Sequence, residues 1–191
     1  MDDIFLFEEI EIENFHDIIS QFNSVIENYR KKNQYNFNLI DRDSFLKDCD
    51  LVKKYFDNNE CVISNIATIE IAAKSKGSLH TDNYRNTLAL NFPVFNCEDS
   101  YTSLYKVIDG EPVLKVYPNG LTHTDFGSCC LTEVAKYCIR DKAILFNTQV
   151  PHQVYNNSDK PRLAVSFRFA KDPWHLLASA KCPEILSTRS K

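Results

Sequence analysis

Residues 162–169, RLAVSFRF, separate by the two-residue period of a strand into two unlike faces. Leu163, Val165, Phe167 and Phe169 form an apolar face, suited to packing under helices. Arg162, Ala164, Ser166 and Arg168 form the other, which is small, hydroxylic and cationic. That second face is odd for a sheet core and right for an anion pocket. An Arg in such a place can hold a carboxylate bidentately, more strongly than Lys would.

The rest of the chain offers the matching layers. Ile4 to Ile12 reads as a first strand, and Asn14 as the N-cap of a helix with Asp17 in its first turn. Phe15, Ile18, Ile19, Phe22, Val25, Ile26 and Tyr29 recur at spacings of three and four, an amphipathic helix that ends in Arg30-Lys31-Lys32. His16 falls on its polar side. A second helix is expected from about Ser44 to Phe56. From Cys61 onward, short β-branched and aromatic segments alternate with turn signals. Strands are expected near 61–73, 86–92, 102–108, 113–117, 131–138, 143–147, 152–155 and 162–169. Asp109-Gly110, Pro118-Asn119-Gly120 and the loop from Asn156 to Pro161 supply the turn chemistry. Two helices followed by about eight short strands predict a mainly β fold, a sandwich or jelly roll buttressed by the helices.

At 191 residues the chain is read as one domain: residues 1–58 a helical buttress, 61–169 the β core and 170–191 a C-terminal tail. With 4 glycines and no G-x-G-x-x-G, the chain argues against a glycine-rich phosphate loop. A net charge of −4 and the lack of a basic run argue against nucleic acid and for a small-molecule or protein substrate. The acidic start MDDIFLFEEIEIENF does not read as a signal peptide, and no apolar run approaches the ~20 residues of a membrane span. Seven scattered cysteines, none in C-x-x-C, read as reduced thiols. A cytoplasmic location is expected, with no membrane partner.

Two stretches repeat a His-x-Asp pattern: GSLHTDNYRNTLALNF, with His80 and Asp82, and LTHTDFGS, with His123 and Asp125. On a strand, residues i and i+2 point to the same side. One imidazole and one carboxylate then make two ligands of a 2-His-1-carboxylate facial triad, which suits Fe(II) and leaves positions open. The third ligand should be a distant His on another strand. His152, 72 residues after His80 in AILFNTQVPHQVYN, is the candidate. Arg162 comes ten residues later.

The set HTD at 80–82, His152 in VPHQVYN and Arg162 in PRLAVSFRF resembles the 2-oxoglutarate and Fe(II)-dependent oxygenase superfamily, over roughly residues 61–169. The resemblance implies a double-stranded β-helix (a cupin-like jelly roll) in which His80, Asp82 and His152 hold Fe(II). It implies that 2-oxoglutarate completes the site, with Arg162 clamping its distal carboxylate and Asn91 adding a hydrogen bond. It further implies hydroxylation of a small molecule or a protein side chain, with release of succinate and CO2. Arg168 is expected either to reach the substrate or cofactor, or to form a surface or rim ion pair. Ala164 departs from the family's commoner Ser at that position. The alternatives are a cupin-like metal- or ligand-binding module without oxygenase activity, and a structural jelly roll carrying chance polar residues.

Between the two His-x-Asp pairs, strand count favours the first. From His80, five expected strands precede His152, enough to wind the β-helix; from His123 there are two. His123 lies between Asn119-Gly120 and Gly127 and is expected in a loop at the edge of the site. His175 lies beyond the last strand and is expected to be structural or exposed.

Overall fold

The computed structural model describes residues 4–30, 37–83, 85–116 and 122–177. The chain begins with β1 (Phe7–Ile10), α1 (Phe15–Tyr29), β2 (Phe37–Ile40), α2 (Arg42–Asp48) and α3 (Asp50–Asn58). Strands β3 (Ile63–Ile71), β4 (Ser75–Lys76), β5 (His80–Asp82), β6 (Leu88–Phe95) and β7 (Ser100–Asp109) follow. Then come β8 (Val113–Val116), β9 (Thr122–Asp125), β10 (Cys130–Tyr137), β11 (Ala143–Asn147), β12 (His152–Asn156) and β13 (Arg162–Phe169). A short 3-10 helix, Trp174–Leu176, closes the described chain. Two antiparallel sheets result, ordered β1-β11-β6-β13-β3-β2 and β10-β7-β12-β5-β9-β8, with β4 beside β12. They face each other as a jelly roll, with the three helices against the outer side of the first sheet.

Strand β13 shows why. It pairs on one edge with β3 and on the other with β6. Leu163, Val165, Phe167 and Phe169 join the apolar cluster that contains Ile18, Phe22 and Ile26 of α1, Phe45 of α2 and Val52 and Phe56 of α3. Each such side chain, taken from water, contributes about 1.5–3 kcal/mol. Ala164, from the opposite face, belongs to a second cluster between the sheets, with Ala89, Leu104, Tyr137, Ile144 and Phe146. The two-faced reading of residues 162–169 is thus the actual division between helix layer and sheet interior.

Several local expectations need correction. Asn14 stands at the N-cap position of α1, but its backbone is left-handed at φ 58° and its side chain makes no cap. Its carbonyl, instead, accepts from the Asp17 and Ile18 amides. The second helix is two helices. Asp41 caps α2 by accepting from the Ser44 amide at 2.8 Å, and Cys49, fully buried at φ −120°, ψ 67°, breaks the path before α3. Strand β2 was not expected; its four residues pair with β3 along the sheet edge. Residues 122–125 are a strand, β9, and not the expected loop, because both edges are satisfied by pairing with β5 and β8.

Arg30 ends α1 by a two-pronged ion pair with Glu70 of β3, at 2.9 and 2.6 Å. Lys31, Lys32, the Pro118-Asn119-Gly120 turn, Ala178 and Cys182 lie outside the described residues. Among the described residues, no helix is long and apolar enough to cross a membrane.

Candidate metal and anion site

The first His-x-Asp pair forms β5, a strand of three residues in the second sheet. His152, the first residue of β12, pairs directly with His80 across the ladder. This register brings the His80 and His152 rings to 4.6 Å between centroids. One ligand atom from each of His80, Asp82 and His152 lies within 4.8 Å of the others. The sequence spacing predicted this grouping, and it follows from two neighbouring strands whose side chains share a face.

The ring orientations are set from behind. His80 Nδ1 lies 2.9 Å from the Ser78 carbonyl oxygen, and His152 Nδ1 lies 2.9 Å from the Val150 carbonyl oxygen. A carbonyl only accepts, so each Nδ1 donates, which leaves Nε2 as the ring nitrogen available to a metal. Metal-binding imidazoles are oriented by this kind of outer hydrogen bond. Phe146 closes another side of His152, with ring centroids 5.2 Å apart and planes at 82°.

Asp82 is held from two directions. One carboxylate oxygen is 3.3 Å from His80 Nε2, and the other accepts from Arg168 Nη2. Burial would raise its pKa, but the Arg168 charge and the His80 hydrogen bond outweigh this and hold it well below the carboxylate range. Burial pulls His80 down, yet Asp82 more than compensates and leaves it above its ordinary value. His152, buried and close to His80, is pushed down to about 4. The trio therefore presents an ionised carboxylate and at least one neutral imidazole, a donor set suited to a divalent cation.

Arg168 was open in the sequence between a ligand contact and a surface or rim pair. It is buried, 4% exposed, and its partner is Asp82.

The inner face of β13 continues away from the trio through Ser166 and Ala164 to Arg162. Arg162 is 2% exposed; its Nε donates to Ser100 Oγ at 3.1 Å, while its Nη1 carries no hydrogen bond. Asn91 of β6 sits directly opposite Ser166 in the register. Asn91 Oδ1 and Ser166 Oγ are also buried without a hydrogen bond. Tyr137, whose phenol is raised by burial, has Thr102, Arg162, Arg168 and Asn91 as polar neighbours. Leaving a buried polar group unbonded costs about 1–3 kcal/mol. Three such atoms, Arg162 Nη1, Asn91 Oδ1 and Ser166 Oγ, are buried with hydrogen-bonding capacity unused.

Ser100, Thr102 and Tyr137 were not anticipated as part of this wall. Each lies on a strand that carries several polar residues, β7 or β10, so the sequence does not show which of them face inward.

The second His-x-Asp pair lies beside the first. In the β5–β9 register, His80 opposes Asp125 and Asp82 opposes His123. His123 is buried, its ring 5.5 Å from that of His80 and nearly perpendicular to it. Asp125 is otherwise engaged: it accepts from Lys115 Nζ at 2.9 Å and from the Gly127 amide at 3.0 Å. His175 is not one of the trio; its Nε2 lies 2.7 Å from the Asn59 carbonyl oxygen.

Solved structures resemble this arrangement of sheets. The non-heme alpha-ketoglutarate dependent carbocyclase SnoK, from nogalamycin biosynthesis, superposes with a TM-score of 0.51 at 8% identity, covering 86% of this chain and 80% of that one. The fold is therefore cupin-like. A Pseudomonas putida prolyl-4-hydroxylase matches with a TM-score of 0.47 at 10% identity, over 88% of this chain and 94% of that one. An oxalate decarboxylase matches at 0.39 and 11% identity; 76% of this chain is covered, spanning 29% of the decarboxylase. No protein-family model and no curated protein matches the chain. At these identities the likeness is one of fold.

Proposed function

We infer that the chain is an Fe(II)- and 2-oxoglutarate-dependent dioxygenase that hydroxylates a small molecule or a protein side chain, releasing succinate and CO2. The observation that carries this reading is a conjunction on one interior surface. A His-Asp-His trio with ligand atoms within 4.8 Å shares that surface with a buried Arg162 whose Nη1 has no hydrogen bond. His80, Asp82 and His152 would hold the metal, and bound iron would supply the oxidative decarboxylation and the oxidising power.

The chain's own part is positional and electrostatic. Ser78 and Val150 fix the imidazoles. Arg162 would take the distal carboxylate of the 2-oxo acid, with Asn91 and Ser166 offering hydrogen bonds along the same wall. Burial of His152 and Arg162 keeps bulk water from competing with these contacts.

The test is a thermal-shift comparison of the chain with Mn(II) alone and with Mn(II) plus 2-oxoglutarate, followed by succinate release with Fe(II). A ligand at a hundredfold its Kd adds about 2.7 kcal/mol of stability. Added stability from 2-oxoglutarate, together with iron-dependent succinate that His152→Ala abolishes, is the expected result. Stabilisation by Mn(II) without any 2-oxoglutarate effect would indicate a metal-binding module instead. Undiminished succinate from His152→Ala would overturn the ligand set.

A further inference from the structure

Strand β11 ends at Asn147 and β12 begins at His152, and the turn between them is closed by the Val150 amide donating to the Asn147 carbonyl at 3.3 Å. Three consecutive residues of this turn touch two members of the trio. The Thr148 carbonyl accepts from the Asp82 amide at 3.0 Å. Gln149 Nε2 donates to the Asp82 carbonyl at 2.5 Å. The Val150 carbonyl orients His152. The peptide groups on both sides of the Asp82 Cα are thus gripped by the residues that lead into His152.

Asp82 needs such a grip. It is the last residue of a three-residue strand, and exposed Asn83 follows it. Strand ends fray when their backbone groups face water.

The turn itself is anchored. The Thr148 amide and hydroxyl both donate to the Thr87 carbonyl, at 2.8 and 2.9 Å. The Asn147 amide donates to the Leu6 carbonyl at 2.9 Å, and its side-chain Nδ2 donates to the Phe5 carbonyl at 3.2 Å. Asn147 Oδ1 accepts from the Gln149 amide at 2.9 Å, which sets the direction of Gln149.

We propose that Gln149 is a positioning residue: its carboxamide, held by the anchored 147–150 turn, fixes the Asp82 carbonyl and thereby aims the Asp82 carboxylate at the two imidazoles. This rests on His80, Asp82 and His152 being metal ligands. Gln149 is exposed, so its hydrogen bond adds little to folding, and its effect falls on the alignment of one ligand. Outer partners of metal ligands commonly act in this way.

The experiment uses the full chain with Co(II), whose visible absorption reports ligand geometry. Gln149→Ala removes the side chain, and Gln149→Glu keeps its shape while removing the donor. Both are expected to raise the Co(II) dissociation constant about tenfold, the lower end of the effect of losing an outer partner. Both are also expected to change the Co(II) spectrum, with the apo melting temperature unchanged. Wild-type affinity and spectrum in both variants would overturn the role of Gln149, as would an affinity loss accompanied by a comparable fall in apo melting temperature. A wild-type chain that binds no Co(II) would instead overturn the ligand reading and, with it, this inference.

Discussion

Arg168 and Asp82 form an ion pair across the gap between the two sheets, with side chains only 5% and 14% exposed. Arg168 comes from the centre of the first sheet and Asp82 from the second, so the pair ties the layers together at the site. Removing one partner of a buried pair leaves the other charge uncompensated, at a cost of roughly 3–5 kcal/mol. Arg168→Leu should therefore lower the apo melting temperature by about 6–20 °C for a chain of this size. A divalent ion would replace the missing positive charge, so Mn(II) should restore more stability to the variant than it adds to wild type. Scanning fluorimetry with and without Mn(II) reads both quantities. An equal Mn(II) shift in the two proteins would contradict a shared role for ion and guanidinium.

Arg162 gives the opposite expectation for folding. Its Nη1 is buried without a hydrogen bond, while its Nε donates to Ser100 Oγ. A buried cation with unmet hydrogen-bonding capacity is often replaced by an apolar residue at no loss of stability. Arg162→Leu should leave the apo chain within about 1 kcal/mol of wild type or more stable. The same variant should lose the stabilisation that 2-oxoglutarate gives the Mn(II)-loaded chain. Urea unfolding and the thermal shift together test the pair of signs. A strongly destabilised variant would mean that Arg162 serves the fold first.

The two His-x-Asp pairs can be separated through their carboxylates. Both oxygens of Asp82 face the trio or its Arg, whereas both oxygens of Asp125 are taken by Lys115 and Gly127. Asp82→Asn should weaken Mn(II) binding by more than about 100-fold, the upper end of what loss of an outer partner costs. Asp125→Asn should leave Mn(II) affinity at the wild-type value. Calorimetric titration of both variants decides it, and the reverse ranking would move the site to β9.

The parts legible in the sequence were those with strict local periodicity. Strand β13 could be divided into its faces because its alternation is unbroken, and α1 because its apolar residues keep helical spacing. His80, Asp82 and His152 were readable as a set because strand geometry puts i and i+2 on one side. Other features depend on contacts that no local pattern contains. The Cys49 break has no Gly or Pro to announce it, and β2 is short and carries Asn38. The β9 strand is flanked by turn residues and is held extended by its neighbours on both edges. The Arg168–Asp82 pair joins residues 86 apart, so parity could place Arg168 on the inner face without naming its partner.

Phe167 of β13 meets an aromatic ring from each of the three helices. Its ring meets Phe22 of α1, Phe45 of α2, Phe56 of α3 and Phe92 of β6, with centroids between 4.8 and 6.3 Å away. It is completely buried, and the next residue along β13 is Arg168. Phe167→Ala would leave a cavity where all three helices converge, and such truncations cost about 3–5 kcal/mol. The loss should also reach the site, since a shift of β13 moves Arg168 relative to Asp82. Chemical denaturation should show the stability loss, and Mn(II) titration under native conditions should show weakened binding. Phe167→Leu, which keeps most of the volume, should recover much of both. If Phe167→Ala lost stability but bound Mn(II) as wild type does, the helix layer and the site would be mechanically independent.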